Sequence, residues 1–148
     1  MTLPGLSPID PKIRSAIYRA VEAEPFASRM GMKLAALETG RSVVEMIYDP
    51  ASMDNLFERA HGGALFALID EAFETAGQSQ GEIRVALNVS VTYVASPASG
   101  ARLRAEARLI SQTKKTAGYD IRVSGPGGET IATCQAVAYR TGKPLPFL

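Results

Sequence analysis

The spacing of apolar residues changes several times along the chain, and each change marks an element. Residues 1–9 read as a loose lead-in. Asp10-Pro11 then offers a helix cap followed by proline at the first helical position. Ile13, Ile17, Ala20 and Val21 recur at helical spacing, so an amphipathic helix is predicted over 10–24, ended by Pro25. From Met32 the period shortens. Residues 32–39 and 42–48 read as strands joined by the hairpin signal Thr39-Gly40-Arg41, and in the second Val44, Met46 and Tyr48 alternate with Val43, Glu45 and Ile47. Asp49-Pro50-Ala51-Ser52 breaks that strand, and a loop is expected to about residue 60.

The stretch 61–77, HGGALFALIDEAFETAG, is apolar on nearly all sides. Its length and alanine content favour a helix, and a helix of that kind is buried. Gly77 is expected to cap its end. Asp70 and Glu71 interrupt the apolar run in the middle. Strands follow near 82–95, 101–111, 116–124 and 129–140, separated by turns at Ser96–Gly100 and Gly125–Gly128. In the first of them Val85, Leu87, Val89, Val91 and Tyr93 are placed on one face, and Ala86, Asn88, Ser90 and Thr92 on the other. The tail 141–148, with two prolines, is expected to leave the sheet. The order is helix, two strands, one buried helix, four strands. It predicts a single α+β domain over 1–148, its sheet curled around the central helix, with an extra helix in the lead-in 1–29.

Composition narrows the function. Sixteen Lys and Arg face fifteen Asp and Glu, a formal charge of +1, which argues against nucleic-acid binding through a general basic face. One cysteine, Cys134, allows no intrachain disulfide and fits a reducing cytosol. It is expected to be a buried, inert thiol. One cysteine and one histidine, His61, cannot build the usual soft-ligand zinc site, so no metal is expected. The start of the chain has no secretory signal pattern, and no window approaches the roughly 18 apolar residues of a membrane span. A cytoplasmic protein with no membrane partner is the expectation. No phosphate loop, dinucleotide fingerprint or Gly-x-Ser-x-Gly elbow is present. Ser111-Gln112-Thr113-Lys114 matches a Ser-x-x-Lys pattern but falls at a strand end without supporting motifs.

Three features combine into a pattern: Asn55, then His61-Gly62-Gly63 six residues on, then Asp70 nine residues after the histidine. With Val91-Thr92-Tyr93, the turn Ser96-Pro97-Ala98 and Gly100, and the element order, the chain resembles the hotdog-fold acyl-CoA thioesterases of the PaaI-like, phenylacetate-pathway type over roughly 30–140. Two positions depart from the pattern. Many members have Gly where Glu58 stands, and some carry Ser or Thr near Ala86 to orient the attacking water.

The resemblance implies thioester hydrolysis of an acyl-CoA, aryl or medium-chain, to the free acid and CoA, with no cofactor beyond the coenzyme A of the substrate. Asp70 is then a general base or a nucleophile; otherwise it is a structurally paired or solvent-facing acid. Gly62, at the helix start where N–H groups lack partners and the dipole favours negative charge, is then the oxyanion donor. His61 shapes that loop or bonds the thioester oxygen, and Asn55 fixes the loop or the water. Gly63, Ala86 and Tyr93 are assigned to the substrate, and Lys114 and Lys115 to the CoA phosphates. Arg102, Arg104 and Arg108 share one strand face and are further candidates, although a solvated face and turn explains all of these cations as well. Asp70 and Gly62 lie about 12 Å apart along one helix. The family builds its site from the acid of one subunit and the glycine of the other, so a homodimer, or a dimer of dimers forming a homotetramer, is implied. A non-catalytic acyl-CoA-binding domain is the rival reading, motivated by Ala86 and Glu58. Phe57, Phe66 and Phe73 are candidates to line an acyl pocket, or core residues at helical spacing.

Overall fold

The computed structural model describes residues 3–148. Ten elements follow one another: α1 (Pro11–Ala23), α2 (Pro25–Met30), β1 (Lys33–Glu38), β2 (Arg41–Ile47), α3 (Pro50–Met53), α4 (Gly62–Gln78), β3 (Glu82–Tyr93), β4 (Arg102–Gln112), β5 (Thr116–Ser124) and β6 (Thr130–Pro144). The six strands form one antiparallel sheet in the order β1-β2-β4-β5-β6-β3. It curves around α4, which is the hotdog arrangement with extra N-terminal helices.

Side-chain size explains the wrapping. Ala105 and Ala107 of β4, Ala117 of β5, and Ala132, Ala136 and Ala138 of β6 are all buried. These small residues let a helix with a broad apolar surface sit close to the sheet, and Leu68, Ile69, Leu103, Leu109, Tyr119 and Val123 fill the remaining volume. Two hydroxyl groups fix the helix. Ser42 Oγ of β2 donates to the Ala72 carbonyl at 2.6 Å, and Thr75 Oγ donates back to the Glu71 carbonyl at 2.8 Å. Cys134 is buried, and burial pushes its thiol up to about 11, the inert state expected for it. No helix of the described residues is long and apolar enough to cross a membrane.

Four local expectations change. Pro25 ends α1 but also opens α2, because Glu24, held extended before proline (φ −72°, ψ 120°), serves as the C-cap of one helix and the N-cap of the next. The loop after β2 contains the single turn α3, capped by Asp49. Gly77 does not cap α4; it lies inside the helix, where a Cβ would meet Arg84 Cβ at 3.7 Å, and Ser79 is the C-cap. The residues from Thr141 do not leave the sheet. β6 continues to Pro144, held by Thr141 Oγ donating to the Ile83 carbonyl at 2.6 Å and by Arg140 donating to Glu82 at 2.6 Å.

A fifth difference bears on function. The β3–β6 register shifts between Ala86 and Asn88, so one residue is added at Leu87. Before the bulge Ala86 opposes Ala138; after it Val89 opposes Ala136 and Val91 opposes Cys134. Opposed residues share a sheet face, so Ala86 joins Val89, Val91 and Tyr93 on the inner face, and Val85 moves outward. β3 is also an edge strand, exposing Val85, Leu87 and Tyr93 along a free side.

Candidate active site

At the head of α4 the histidine acts through its ring. His61 is extended, and its Nδ1 accepts the Gly63 N–H at 2.9 Å as an N-cap. The ring proton therefore sits on Nε2, which points its donor away from the helix. Ala64 and Leu65 donate to the His61 carbonyl. The Gly62 N–H is left without an acceptor among the described residues. Tyr93, at the far end of β3, donates its hydroxyl to the Gly62 carbonyl at 3.1 Å, and its ring lies 3.2 Å from where a Gly62 Cβ would stand. His61, Gly62, Gly63 and Tyr93 are thus brought together around one free N–H at the positive end of a 17-residue helix.

Asn55 organises the loop beside this helix end. Its Oδ1 accepts the N–H groups of Phe57 at 2.8 Å and Arg59 at 3.2 Å, and its own N–H donates to the Arg59 carbonyl at 2.8 Å. These bonds close the loop on itself. Tyr48 bonds Asp54 just before it. The turn has a cost: Glu58 holds φ +56°, the only positive φ at a non-glycine among the described residues. A left-handed non-glycine residue costs about 1–2 kcal/mol, offset in part by the greater chain entropy of glycine when unfolded. Glu58→Gly is therefore expected to raise the melting temperature by about 2–3 °C; a calorimetric scan showing a lower one would remove strain as the account of Glu58.

Asp70 lies two turns further along α4 with an exposed side chain. It faces a cleft of about 270 Å³ lined by Phe73, Glu74, Gly77, Val85, Ala86 and Ala138, among others. Partial burial raises its pKa above the ordinary carboxylate range. The β3 bulge brings Ala86 into this cleft, and no hydroxyl side chain lines it. Gln78 also faces it, but its amide is tied to the Arg84 backbone at both ends, donating at 3.0 Å and accepting at 3.1 Å. Glu74, one turn beyond Asp70, is the carboxylate that sequence reasoning missed; the i,i+4 spacing was the available signal.

Glu71 and Glu74 titrate abnormally. Burial, then Glu24 and Glu74, push Glu71 up to about 8, and burial, then Glu24, push Glu74 up to about 7. The folded chain therefore keeps protons that the unfolded chain releases near pH 4.5. Stability is full below that pH, falls as pH rises through the folded values of about 7 and 8, and is flat above. In EDTA, Glu71→Gln should flatten this decline and raise the melting temperature at pH 8.5 by about 3 °C or more. A pH profile that the substitution leaves unchanged would contradict the assignment.

The remaining candidates lie elsewhere. Lys114 and Lys115 form the exposed β4–β5 turn, built on Thr113 Oγ, with Lys115 Nζ 5.8 Å from the Tyr139 ring centroid. Thr116 opposes Tyr139, which opposes Val85, so this turn lies toward the Ala86 end of β3. Arg102 pairs with Glu45 and Arg108 with Glu106 on the outer sheet face. Phe73 lines the Asp70 cleft and packs edge-on against Tyr119, whereas Phe57 is 79% exposed. Gly62 and Asp70 do not meet within the chain. They stand eight residues, about 12 Å, apart along α4, one beside Tyr93 and the other at the cleft that Ala86 lines.

The model of the thioesterase superfamily matches residues 57–132. The chain is 32% identical over 121 residues to the acyl-coenzyme A thioesterase PaaI of Escherichia coli K12, spanning 82% of this chain and 86% of that one. It is similar to the solved structure of the E. coli PaaI protein from the phenylacetic acid degradation operon, with TM-score 0.85 and 29% identity over 90% of this chain and 96% of that one. It also resembles a Streptococcus mutans protein solved bound to acetyl CoA, with TM-score 0.72 and 25% identity over 77% and 91% of the two chains.

Proposed function

The chain belongs to the thioesterase superfamily, in its PaaI-like branch, and on that premise we propose that it hydrolyses an acyl-CoA to the free acid and coenzyme A. The observation that carries this reading is the Gly62 N–H without an acceptor at the head of a helix whose middle exposes Asp70 to a cleft. A thioester carbonyl accepting that N–H gains stabilisation as its oxygen becomes an oxyanion. Asp70 then either takes a proton from the attacking water or attacks the carbonyl carbon itself, releasing the CoA thiolate and leaving an anhydride that water hydrolyses. Its raised pKa makes it the stronger base.

The separation of the two groups supports a two-fold dimer as the working unit. β3 offers a free edge with exposed apolar side chains. Two such edges paired antiparallel about a two-fold axis set the Tyr93 end of one protomer against the Ala86 end of the other. The Gly62 N–H of one chain then approaches the Asp70 of its partner, and two sites form at the interface. Lys114 and Lys115, exposed on a turn toward the Ala86 end, are in reach of a nucleotide leaving that interface, and their charge suits its phosphates. Phe73 in the Asp70 cleft favours an aryl or medium-chain acyl group.

A panel of aryl-, short- and medium-chain acyl-CoAs assayed for free thiol tests the proposal. Thiol release from at least one aryl- or medium-chain member is the expected result. The bare methyl of Ala86 beside Asp70 favours a second reading, a non-catalytic acyl-CoA-binding domain. Melting shifts with these ligands and no thiol release from any of them would install that reading instead.

A further inference from the structure

Behind the Asp70 cleft, three carboxylates converge from two parts of the chain. Glu24 stands at the α1–α2 junction, and Glu71 and Glu74 on α4. One oxygen from each lies within 4.8 Å of the others. Glu71 is 3% exposed, and its Oε1 has no hydrogen-bond partner. Once Glu71 is ionised, its buried oxygen faces two further carboxylates with no donor to bond, an arrangement that only a cation compensates. None of the three acids takes part in a salt bridge among the described residues. The cation lining the same cavity, Arg84, is committed elsewhere: its Nε bonds Glu82, its Nη1 the Tyr119 hydroxyl and its Nη2 Gln112.

We propose that Glu24, Glu71 and Glu74 form a site for a hard divalent cation of calcium type, which ties the N-terminal helices to the central helix. Calcium holds carboxylate oxygens at about 2.3–2.6 Å, so ligands on opposite sides of one ion stand about 4.6–5.2 Å apart. The three oxygens, all within 4.8 Å of one another, fall inside that span. Magnesium, with strict octahedral geometry and tightly held water, is less suited than calcium to three carboxylates on separate flexible side chains. Glu24 and Glu74 also line a cavity of about 490 Å³, closed on one side by Leu145, Pro146 and Phe147. That cavity supplies the entry path and room for the water ligands that complete a calcium shell. The scarcity of histidine and cysteine excludes soft-metal sites but does not bear on an all-oxygen one.

The test uses the full chain, stripped with EDTA, dialysed and titrated with calcium chloride at pH 8.5 by calorimetry, with melting temperatures at fixed chain concentration. One calcium per chain and a rise in melting temperature of several degrees are expected, with magnesium at least about tenfold weaker. Glu24→Gln and Glu74→Gln should each weaken calcium binding at least about tenfold. Glu71→Gln should abolish it while melting, metal-free, at or above the parent, which shows that the variant folds. No binding up to about 5 mM calcium overturns the proposal. So does magnesium binding as tightly as calcium, or a calcium response that Glu71→Gln retains.

Discussion

Asp70→Asn is expected to lower kcat by at least about a hundredfold on whichever acyl-CoA the chain hydrolyses, with the fold intact. Asparagine has the shape of the acid, so the cleft beside Phe73 and Ala86 keeps its form. It can neither accept the proton of water nor form an anhydride. Burial disfavours the charge on Asp70, so removing that charge should leave the melting temperature equal or higher. The parent rate should fall on the acid side as Asp70 is protonated, with a midpoint above the usual carboxylate range. A single turnover in ¹⁸O water can reveal a nucleophile: label enters the Asp70 carboxylate only when an anhydride forms and water opens it at the Asp70 carbon, whereas a base leaves label only in the product acid. An Asp70→Asn rate within threefold of the parent would sink the mechanism, whatever the label shows.

Gly62→Pro is expected to cost about 10²–10³ in kcat, because proline has no N–H to offer the oxyanion. The position tolerates it better than almost any other. Gly62 is the first residue of α4, where proline is favoured, and His61 already has the extended backbone required before proline (φ −63°, ψ 133°). The added atoms press on the Tyr93 ring, 3.2 Å from the Cβ position, which must yield by a few tenths of an ångström. The stronger result comes from mixing. Gly62→Pro chains and Asp70→Asn chains, each nearly inactive, are unfolded together and refolded. In a mixed dimer one interface combines an intact Asp70 with an intact Gly62 from the other chain. Half of the dimers are mixed and carry one good site each, so the mixture should recover about a quarter of the parent activity. No recovery from a mixture shown to contain mixed dimers would place both groups of each site in one chain.

The central helix was legible because Ala64–Ile69 is one apolar run inside a stretch too long for a buried strand, and the strands showed in their period-two alternation. The bulge was not. In Val85-Ala86-Leu87-Asn88-Val89 apolar residues fall on both faces, so inserting one residue leaves no break in the pattern, and simple alternation placed Ala86 on the face opposite Val89 and Val91. Gly77 illustrates a second limit: glycine near a helix end reads as a cap, while here the helix runs on past it to Gln78 and Ser79 is the cap. Pro25 signals a boundary without saying that a new helix begins at it. Within the candidate site, Asn55, His61, Gly62 and Asp70 declare themselves by fixed spacing. Glu24 gives no such sign. It stands some fifty residues before its acidic neighbours in sequence, and only the packing of the lead-in against α4 brings them together.

The place of β3 in the sheet also governs how the chain comes off the ribosome. Among the described residues its only neighbour is β6, the last strand to be made, although β3 is the third of six in sequence. About forty residues separate the end of one from the start of the other, so at about 5–20 residues per second β3 waits several seconds for its partner. During that interval both edges of a largely apolar strand are bare, and neighbouring chains on one message present the same strand at the same stage. Pairing of β3 with β6 is thus the step at which synthesis, folding and aggregation compete. Slowing translation between residues 93 and 130 should lower the soluble yield more than an equal delay placed before residue 82.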